Sequence, residues 1–318
     1  MTKRILSATP HEMNAWSGRE LLSAIRMSEG RVLRAAARIR SGNLIDGVCN
    51  AETAAAFGAD FINLDTYDLL DPSIPGWNSK KAEEDQPFQD VQIPRGKGYS
   101  FRELEEIVGR PISILLLAAK DDRQAELAKR AYGNIVLSKE VLKKACEENV
   151  RWLQIDSFDE RVDLSKKISE IRQIVGNDKI LHVAKSHGAG ILNMENSRSL
   201  INEDEIIALL NAGADIVGFP APGSYPGWDI SLCKKMTELV HRHGGIVSLG
   251  IHTSQEGANA ATLEQIALYA KMCGTDMHDL GDCGFNENMI DPMNILRYGV
   301  AIRGKRHQYR RMSISQMR

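Results

Sequence analysis

Three segments of the chain repeat one phrase: Phe57-Gly-Ala-Asp-Phe-Ile-Asn-Leu-Asp65, Ala212-Gly-Ala-Asp-Ile-Val-Gly-Phe-Pro220 and Cys273-Gly-Thr-Asp-Met-His-Asp-Leu-Gly281. Each runs glycine, small residue, aspartate, then a short apolar stretch. Gly58, Gly213 and Gly274 follow helical patterns, and glycine is the residue that ends a helix in the left-handed conformation. The stretch that follows suits a buried strand of about five residues. The phrase is therefore a helix-to-strand corner. Looser copies are Asn149-Val-Arg-Trp-Leu-Gln-Ile-Asp156, with asparagine as the cap, and Gly244-Gly-Ile-Val-Ser-Leu-Gly250.

Counting outward from these corners predicts eight strands, at 44–48, 60–65, 112–118, 152–156, 180–185, 215–220, 246–250 and 276–281. Helix starts lie between them. Ser100-x-x-Glu103 and Thr262-x-x-Gln265 fit the capping box and open the helices before strands three and eight, and Asn202 caps a helix over 203–212. Near-continuous apolar strands alternating with helices predict a parallel sheet covered by helices. Eight units predict a (β/α)8 TIM barrel, with residues 1–318 as a single α/β domain. An open doubly wound sheet is the rival, but no G-x-G-x-x-G follows the first strand. Thr9-Pro-His-Glu12 and Ser17-x-x-Glu20 start N-terminal helices within 9–30 that close the barrel bottom. Residues 69–99, rich in Pro, Gly and charge, form a long loop after strand two, either a lid or a mobile connection.

A formal net charge of -2 gives no reason to expect nucleic acid or an anionic membrane as partner. No apolar segment approaches the roughly 18 residues of a membrane helix, and the start MTKRILSATPHEM is not a secretory signal. Five scattered cysteines without a C-x-x-C pair favour reduced thiols in a cytoplasmic protein. The basic run Arg303–Arg311 reads as a solvated or subunit-contacting end, and a homo-oligomer is expected.

Barrels of this kind carry their chemistry at the strand C-termini. Aligning the repeats sets Asn63 beside Gln154, Gly218 and Asp279, and Asp65 beside Asp156, Pro220 and Gly281. Strand side chains alternate, so these sets share one side, which the cost of polar groups against the helix layer makes the interior. Asp65 and Asp156 are the leading catalytic candidates, able to hold Mg²⁺ or move protons; the structural reading is a loop cap. Asp46 and Asn50, near strand one, are weaker binding candidates. Strand five ends in Ala184-Lys185-Ser186-His187-Gly188, where Lys185 can act as base, Schiff-base former or anion partner and His187 as an acid–base group. A salt bridge is the plainer role for Lys185. His182 reads as a core histidine, and His241 and His243 as partners of a helix dipole. After strand seven come His252, Thr253, Ser254 and Gln255, and at strand eight Asp279, Gly281 and Gly284. Such glycine-rich loops often bind phosphate through backbone N–H groups, the alternative being tight turns that only close the barrel. Nothing adjacent lowers the pKa of Cys283, which makes it a poor nucleophile candidate.

RILSATP (4–10), GVCNAETAAAFGAD (47–60), SHGAGILN (186–193), TSQEGA (253–258) and RGKRHQYRRM (303–312) together resemble a bacterial TIM-barrel family labelled phosphoenolpyruvate phosphonomutase-like, and sometimes haloacid dehalogenase-like hydrolase. The second label implies an Asp-x-Asp motif in a doubly wound fold, whereas Asp65-Thr-Tyr-Asp68 has the wrong spacing. The first implies a barrel, Mg²⁺ on strand-end carboxylates and a small phosphorylated or carboxylated substrate. The Lys-x-Cys-Gly loop of that superfamily is absent. The resemblance implies lyase or isomerase chemistry on a small anionic, phosphorylated metabolite through an enolate. Lys185 would be base or charge partner. The alternatives are a sugar-phosphate-sensing barrel without catalysis and a Schiff-base aldolase using Lys185.

Overall fold

A computed structural model describes residues 3–81, 94–157, 159, 161–185, 200–284, 288–315 and 318. Eight parallel strands close into a barrel: β1 (Val32–Arg38), β2 (Phe61–Asp65), β3 (Ile112–Leu117), β4 (Trp152–Asp156), β5 (Ile180–Ala184), β6 (Ile216–Pro220), β7 (Ile246–Ile251) and β8 (Met277–Leu280). Each strand pairs with its successor, and β8 pairs back onto β1 with Met277 opposite Val32. The helices are α1 (Pro10–Ala15), α2 (Gly18–Arg26), α3 (Asn50–Ala56), α4 (Phe101–Val108), α5 (Asp122–Tyr132), α6 (Lys139–Glu147), α7 (Leu164–Val175), α8 (Glu203–Asn211), α9 (Ile230–Arg242), α10 (Ala260–Met272) and α11 (Pro292–Ser313), the last broken at Gly304. None of the described helices is long and apolar enough to cross a membrane. All five cysteines are free thiols.

The first strand differs from expectation. Residues 44–48 form an exposed turn, Ile45 bridging to Val48, and the strand is VLRAAAR over Val32–Arg38. Asp46-Gly47 is turn chemistry, with Gly47 at φ 71°. The true strand is obscured by Arg34 in mid-run, whose burial depends on partners far away in sequence. The helix before β8 also starts earlier than Thr262: Asn259 caps it, accepting the Thr262 N–H at 3.0 Å. The capping boxes at Thr9/Glu12, Ser17/Glu20 and Ser100/Glu103 and the Asn202 cap form as read.

The repeated phrase has a further function besides its glycine, which adopts φ 100°, 105° and 86° at the three corners. Each aspartate grips the neighbouring strand at two points. The Asp60 N–H donates to the Leu33 carbonyl at 2.7 Å while its carboxylate accepts the Leu33 N–H at 2.9 Å. Asp215 does the same to Leu181, and Asp276 to Val247. A cation completes each clamp: Arg303 and Arg311 at Asp60, Arg19 and Arg172 at Asp215, His241 at Asp276. Charged hydrogen bonds of this kind contribute about 1.5–3 kcal/mol each.

The basic run of α11 is thus divided: Lys305, Arg306 and Arg310 are exposed, and two of its arginines turn inward. Arg303 and Arg311 are buried at the barrel floor, where Arg311 also donates to the Ile5 carbonyl at 2.5 Å. Inside the barrel the side chains stack in layers. Val32, Phe61, Trp152, Ile180, Ile216, Ile246 and Met277 form an apolar lowest layer sealed by Ile5, Met13, Leu21 and Ile25. Above them lies a polar layer of Arg34, Asn63, Ser113, Gln154, His182, Ser248 and Asp279. The loop after β2 begins and ends on a two-stranded ribbon, Ile74–Pro75 with Arg95–Gly96, and Arg95 donates to the Ile39 and Arg40 carbonyls. Residues 82–93 of that loop lie outside the described residues.

Candidate functional site

The polar layer is organised by Arg34. Its guanidinium donates to both Asp279 oxygens (Nε to Oδ1 at 3.0 Å), to Ser113 Oγ at 3.1 Å and to Gln154 Oε1, and lies over the Trp152 ring. Burial pushes the Asp279 carboxyl up, but the charge of Arg34, joined by that of His252, reverses this and holds it far below the usual range. His182, also in this layer, meets Ser248 Oγ at 3.1 Å, and burial holds its pKa well below normal. It is the core histidine expected.

Asp65 and Asp156 stand above this layer at the tips of β2 and β4. Their described partners differ. Asp65 sits beside Asp282, with Arg38 Nε at 3.7 Å from Asp65 and 3.4 Å from Asp282. Burial and then the Asp282 carboxylate push the Asp65 carboxyl well above its usual range, against the charge of Arg38. The following Thr66 is held at φ 58°, a strained position for a β-branched residue, with its hydroxyl accepting the Arg40 N–H at 3.1 Å. Asp156 accepts the Gln154 side-chain N–H at 3.1 Å through Oδ2, and its Oδ1 is buried without a hydrogen bond among the described residues. Burial pushes its carboxyl up to about 6, opposed by Gln154 and by the charges of His252 and Arg34.

His252 is placed by the end of β7. An added Cβ on Gly250 would lie 2.5 Å from the imidazole, so glycine is what admits the ring. Its Nε2 is 3.8 Å from Asp279 Oδ2. Burial works against the imidazolium, yet the Asp279 carboxylate facing it, with Glu256 and Asp282, raises its pKa overall. Arg34 thus supports both titrating groups, Asp156 through Gln154 and His252 through Asp279.

The loops after β7 and β8 interlock. A Cβ on Gly257 would meet the Gly284 carbonyl at 2.0 Å, and one on Gly281 would meet Glu256 Oε1 at 2.7 Å. Gly281 and Gly284 are thus closely packed, which suits the tight turns weighed beside a phosphate cradle for these loops. What the packing presents is acidic: Glu256, Asp282 and Cys283 offer ligand atoms within 4.8 Å of one another. Glu256 is fully buried, Oε1 accepting the Cys283 N–H at 3.0 Å. Burial and the two carboxylates push the Cys283 thiol up to about 12, which removes it as a nucleophile.

Other expected residues are committed elsewhere. The Lys185 ammonium is bound to Glu205 of α8, the plainer role weighed for it. Asp46 is exposed at the 45–48 turn. Asn50 spends its amide on Leu44 N–H and on the Arg38 and Gly42 carbonyls, scaffolding the β1–α3 loop. Thr253 and Gln255 bond to the Ser224 and Gly223 carbonyls, and Ser254 is exposed at φ 66°. His187 lies outside the described residues. Four residues of the site were not singled out from sequence: Arg34 and Arg38, on the unread first strand, and Glu256 and Asp282, inside loops read for their glycines and hydroxyls. A cleft of about 600 Å³ elsewhere is lined by Pro222, Tyr225, Trp228 and Tyr269, and none of the rim carboxylates borders it.

Fold and rim together define an eight-stranded (β/α)8 barrel with a buried ion pair under an acidic mouth. The chain belongs to the family described as "Domain of unknown function (DUF7916)", which it matches over residues 6–318. No curated protein matches it. Among solved structures it is similar to the carboxyl transferase domain of Rhizobium etli pyruvate carboxylase with 3-bromopyruvate, at 12% identity and a TM-score of 0.50, covering 95% of this chain and 51% of that one. It is also similar to the T882A pyruvate carboxylase of that organism with acetyl coenzyme-A, at 13% identity and a TM-score of 0.48, covering 95% of this chain and 30% of that one. The chain thus spans about half of the first of these structures and under a third of the second, and what it shares with the carboxyl transferase domain is the barrel fold.

Proposed function

We propose that the protein is an enzyme that moves a proton on a small anionic metabolite, in lyase or isomerase chemistry through an enolate-type intermediate. The observation that carries this reading is Asp156: a carboxyl raised to about 6, with one oxygen making no hydrogen bond among the described residues, at a strand tip near an imidazole whose pKa is also raised. A carboxyl titrating at about 6 accepts and returns protons near neutrality with little loss of driving force. In this reading Asp156 removes the proton next to the substrate carbonyl or carboxylate, and His252 donates to the developing enolate oxygen. Asp279 stabilises the imidazolium, and Arg38 faces the anionic group of the substrate. The rim is rich in carboxylates, so an anion entering it needs added positive charge; the acidic triad of the β7 and β8 loops, whose ligand atoms converge, fits a divalent cation better than Asp65 and Asp156, whose described partners differ. A bound cation would lower the energy of the enolate electrostatically. Lys185, paired with Glu205, has no part in this scheme, and nothing favours the Schiff-base reading.

The test is deuterium wash-in from D₂O, followed by proton NMR over a panel of small phosphorylated metabolites and 2-oxo acids. Exchange at a carbon next to a carbonyl is expected for one member, with a rate that falls as pH drops through about 6. Asp156→Asn should slow it by about 10²–10⁴-fold. Exchange undiminished in that variant, or none across the panel, would overturn the proposal.

A further inference from the structure

We propose that Glu256, Asp282 and Cys283 bind a divalent transition-metal ion of the zinc and cobalt class. The ion expected from the sequence was Mg²⁺ on Asp65 and Asp156, an all-oxygen set. The triad differs in having a sulfur donor, and thiolate selects softer ions while Mg²⁺ keeps to oxygen and water.

Two observations carry the site. The first is convergence: the three ligand atoms lie within 4.8 Å of one another, brought together by loops that can interlock only because Gly257, Gly281 and Gly284 lack side chains. The second is Glu256 itself. Its residue is fully buried; Oε1 accepts the Cys283 N–H, while Oε2 is buried and makes no hydrogen bond among the described residues. A buried carboxylate oxygen without a donor costs several kcal/mol unless something positive meets it. Of the cations nearby, Arg38 is engaged with Asp65 and Asp282, and His252, whose charge lowers the Glu256 carboxyl, faces Asp279 at 3.8 Å. A metal ion satisfies the free oxygen, and its open positions take water or substrate oxygen, as three protein ligands leave room for. On binding, Cys283 coordinates as thiolate and its proton passes to solvent. The inference deepens the reaction proposed above, since it names the cation of that rim, but it stands on the donor set alone.

The full chain, freed of metal by chelator, is titrated with Co²⁺. The expected result is near-ultraviolet absorption from thiolate-to-cobalt charge transfer, saturating at one ion per chain. Cys283→Ser should abolish this band while the other four thiols remain. Asp282→Asn should weaken cobalt binding by about tenfold or more, and it serves in place of Glu256→Gln should the buried substitution unfold the chain. Saturation without the band, or a band that survives Cys283→Ser, would overturn the assignment. Because the titration uses no substrate, its failure leaves the exchange assay untouched, and the reverse also holds.

Discussion

Replacing Arg34 by methionine removes the cation of the polar layer while keeping much of the apolar stem. Asp279, only 2% exposed, then stays in the barrel with its main partner gone. Breaking a buried pair in this way costs about 3–5 kcal/mol, because one charge is left uncompensated. Ser113 and Gln154 also lose a donor, but both are neutral and Ser113 keeps its bond to Asn63 at 2.8 Å, so they add little. The cost has a pH signature. In the wild type Asp279 is held below its unfolded pKa of about 3.9, so its contribution is fully present above that value and is lost as pH falls through the depressed folded pKa. In Arg34→Met burial prevails and the folded pKa rises above the unfolded one. The penalty is then full above the new pKa and fades as the carboxyl protonates. Urea unfolding followed by tryptophan fluorescence should show a gap between wild type and variant of about 3–5 kcal/mol near pH 7.5, narrowing by about half near pH 5. Adding Asp279→Leu should recover most of the loss. A gap below about 1 kcal/mol, or one equal at both pH values, would show that Arg34 acts by filling space and that the charge argument is wrong.

Gly250→Ala would set a methyl group 2.5 Å from the His252 ring and drive the imidazole from the rim. Proton exchange should fall by about tenfold or more with an unfolding shift of about 1–3 kcal/mol, and unchanged exchange would place His252 outside the chemistry. Asp276→Asn should cost about 1–2 kcal/mol through its weakened bond to the Val247 N–H. Asp276 raises the His241 pKa, so this pair's contribution is fully present below about pH 6.5 and is lost as pH rises through the folded value. Since His241 is 39% exposed, that part is no more than about 0.5 kcal/mol; thermal melts of the variant should lack it.

Sequence periodicity located β2 to β8 because each is a short apolar run bounded by a glycine or asparagine corner. The alignment of repeats also placed Asn63, Gln154 and Asp279 in one layer and Asp65 and Asp156 on the rim above it. The first strand was illegible for a physical reason: Arg34 looks like a surface residue until Asp279, 245 positions away, is brought beside it. Arg38 was lost with it. Lys185 could not be assigned from position alone, since its partner Glu205 belongs to the next helix and a strand-end lysine serves catalysis and salt bridges alike. In the β7 and β8 loops, glycine was read as exposing backbone to an anion. The coordinates show the reverse use, in which missing side chains bring acidic ones together. Spacing along the chain does not distinguish these, because the distance that decides is between two loops.

The floor clamp at Asp60 has a consequence for how the molecule is made. Asp60 needs Arg303 and Arg311, and β1 closes only on β8. A ribosome delivers the first seven strands while the guanidinium groups that neutralise this carboxylate are still untranslated. Until they emerge the nascent sheet has two open edges, and the carboxylate beside one of them lacks both of these guanidinium partners. Barrel closure therefore waits on β8, and the Asp60 clamp on the last helix, so the contacts that complete the floor are among the longest in sequence separation.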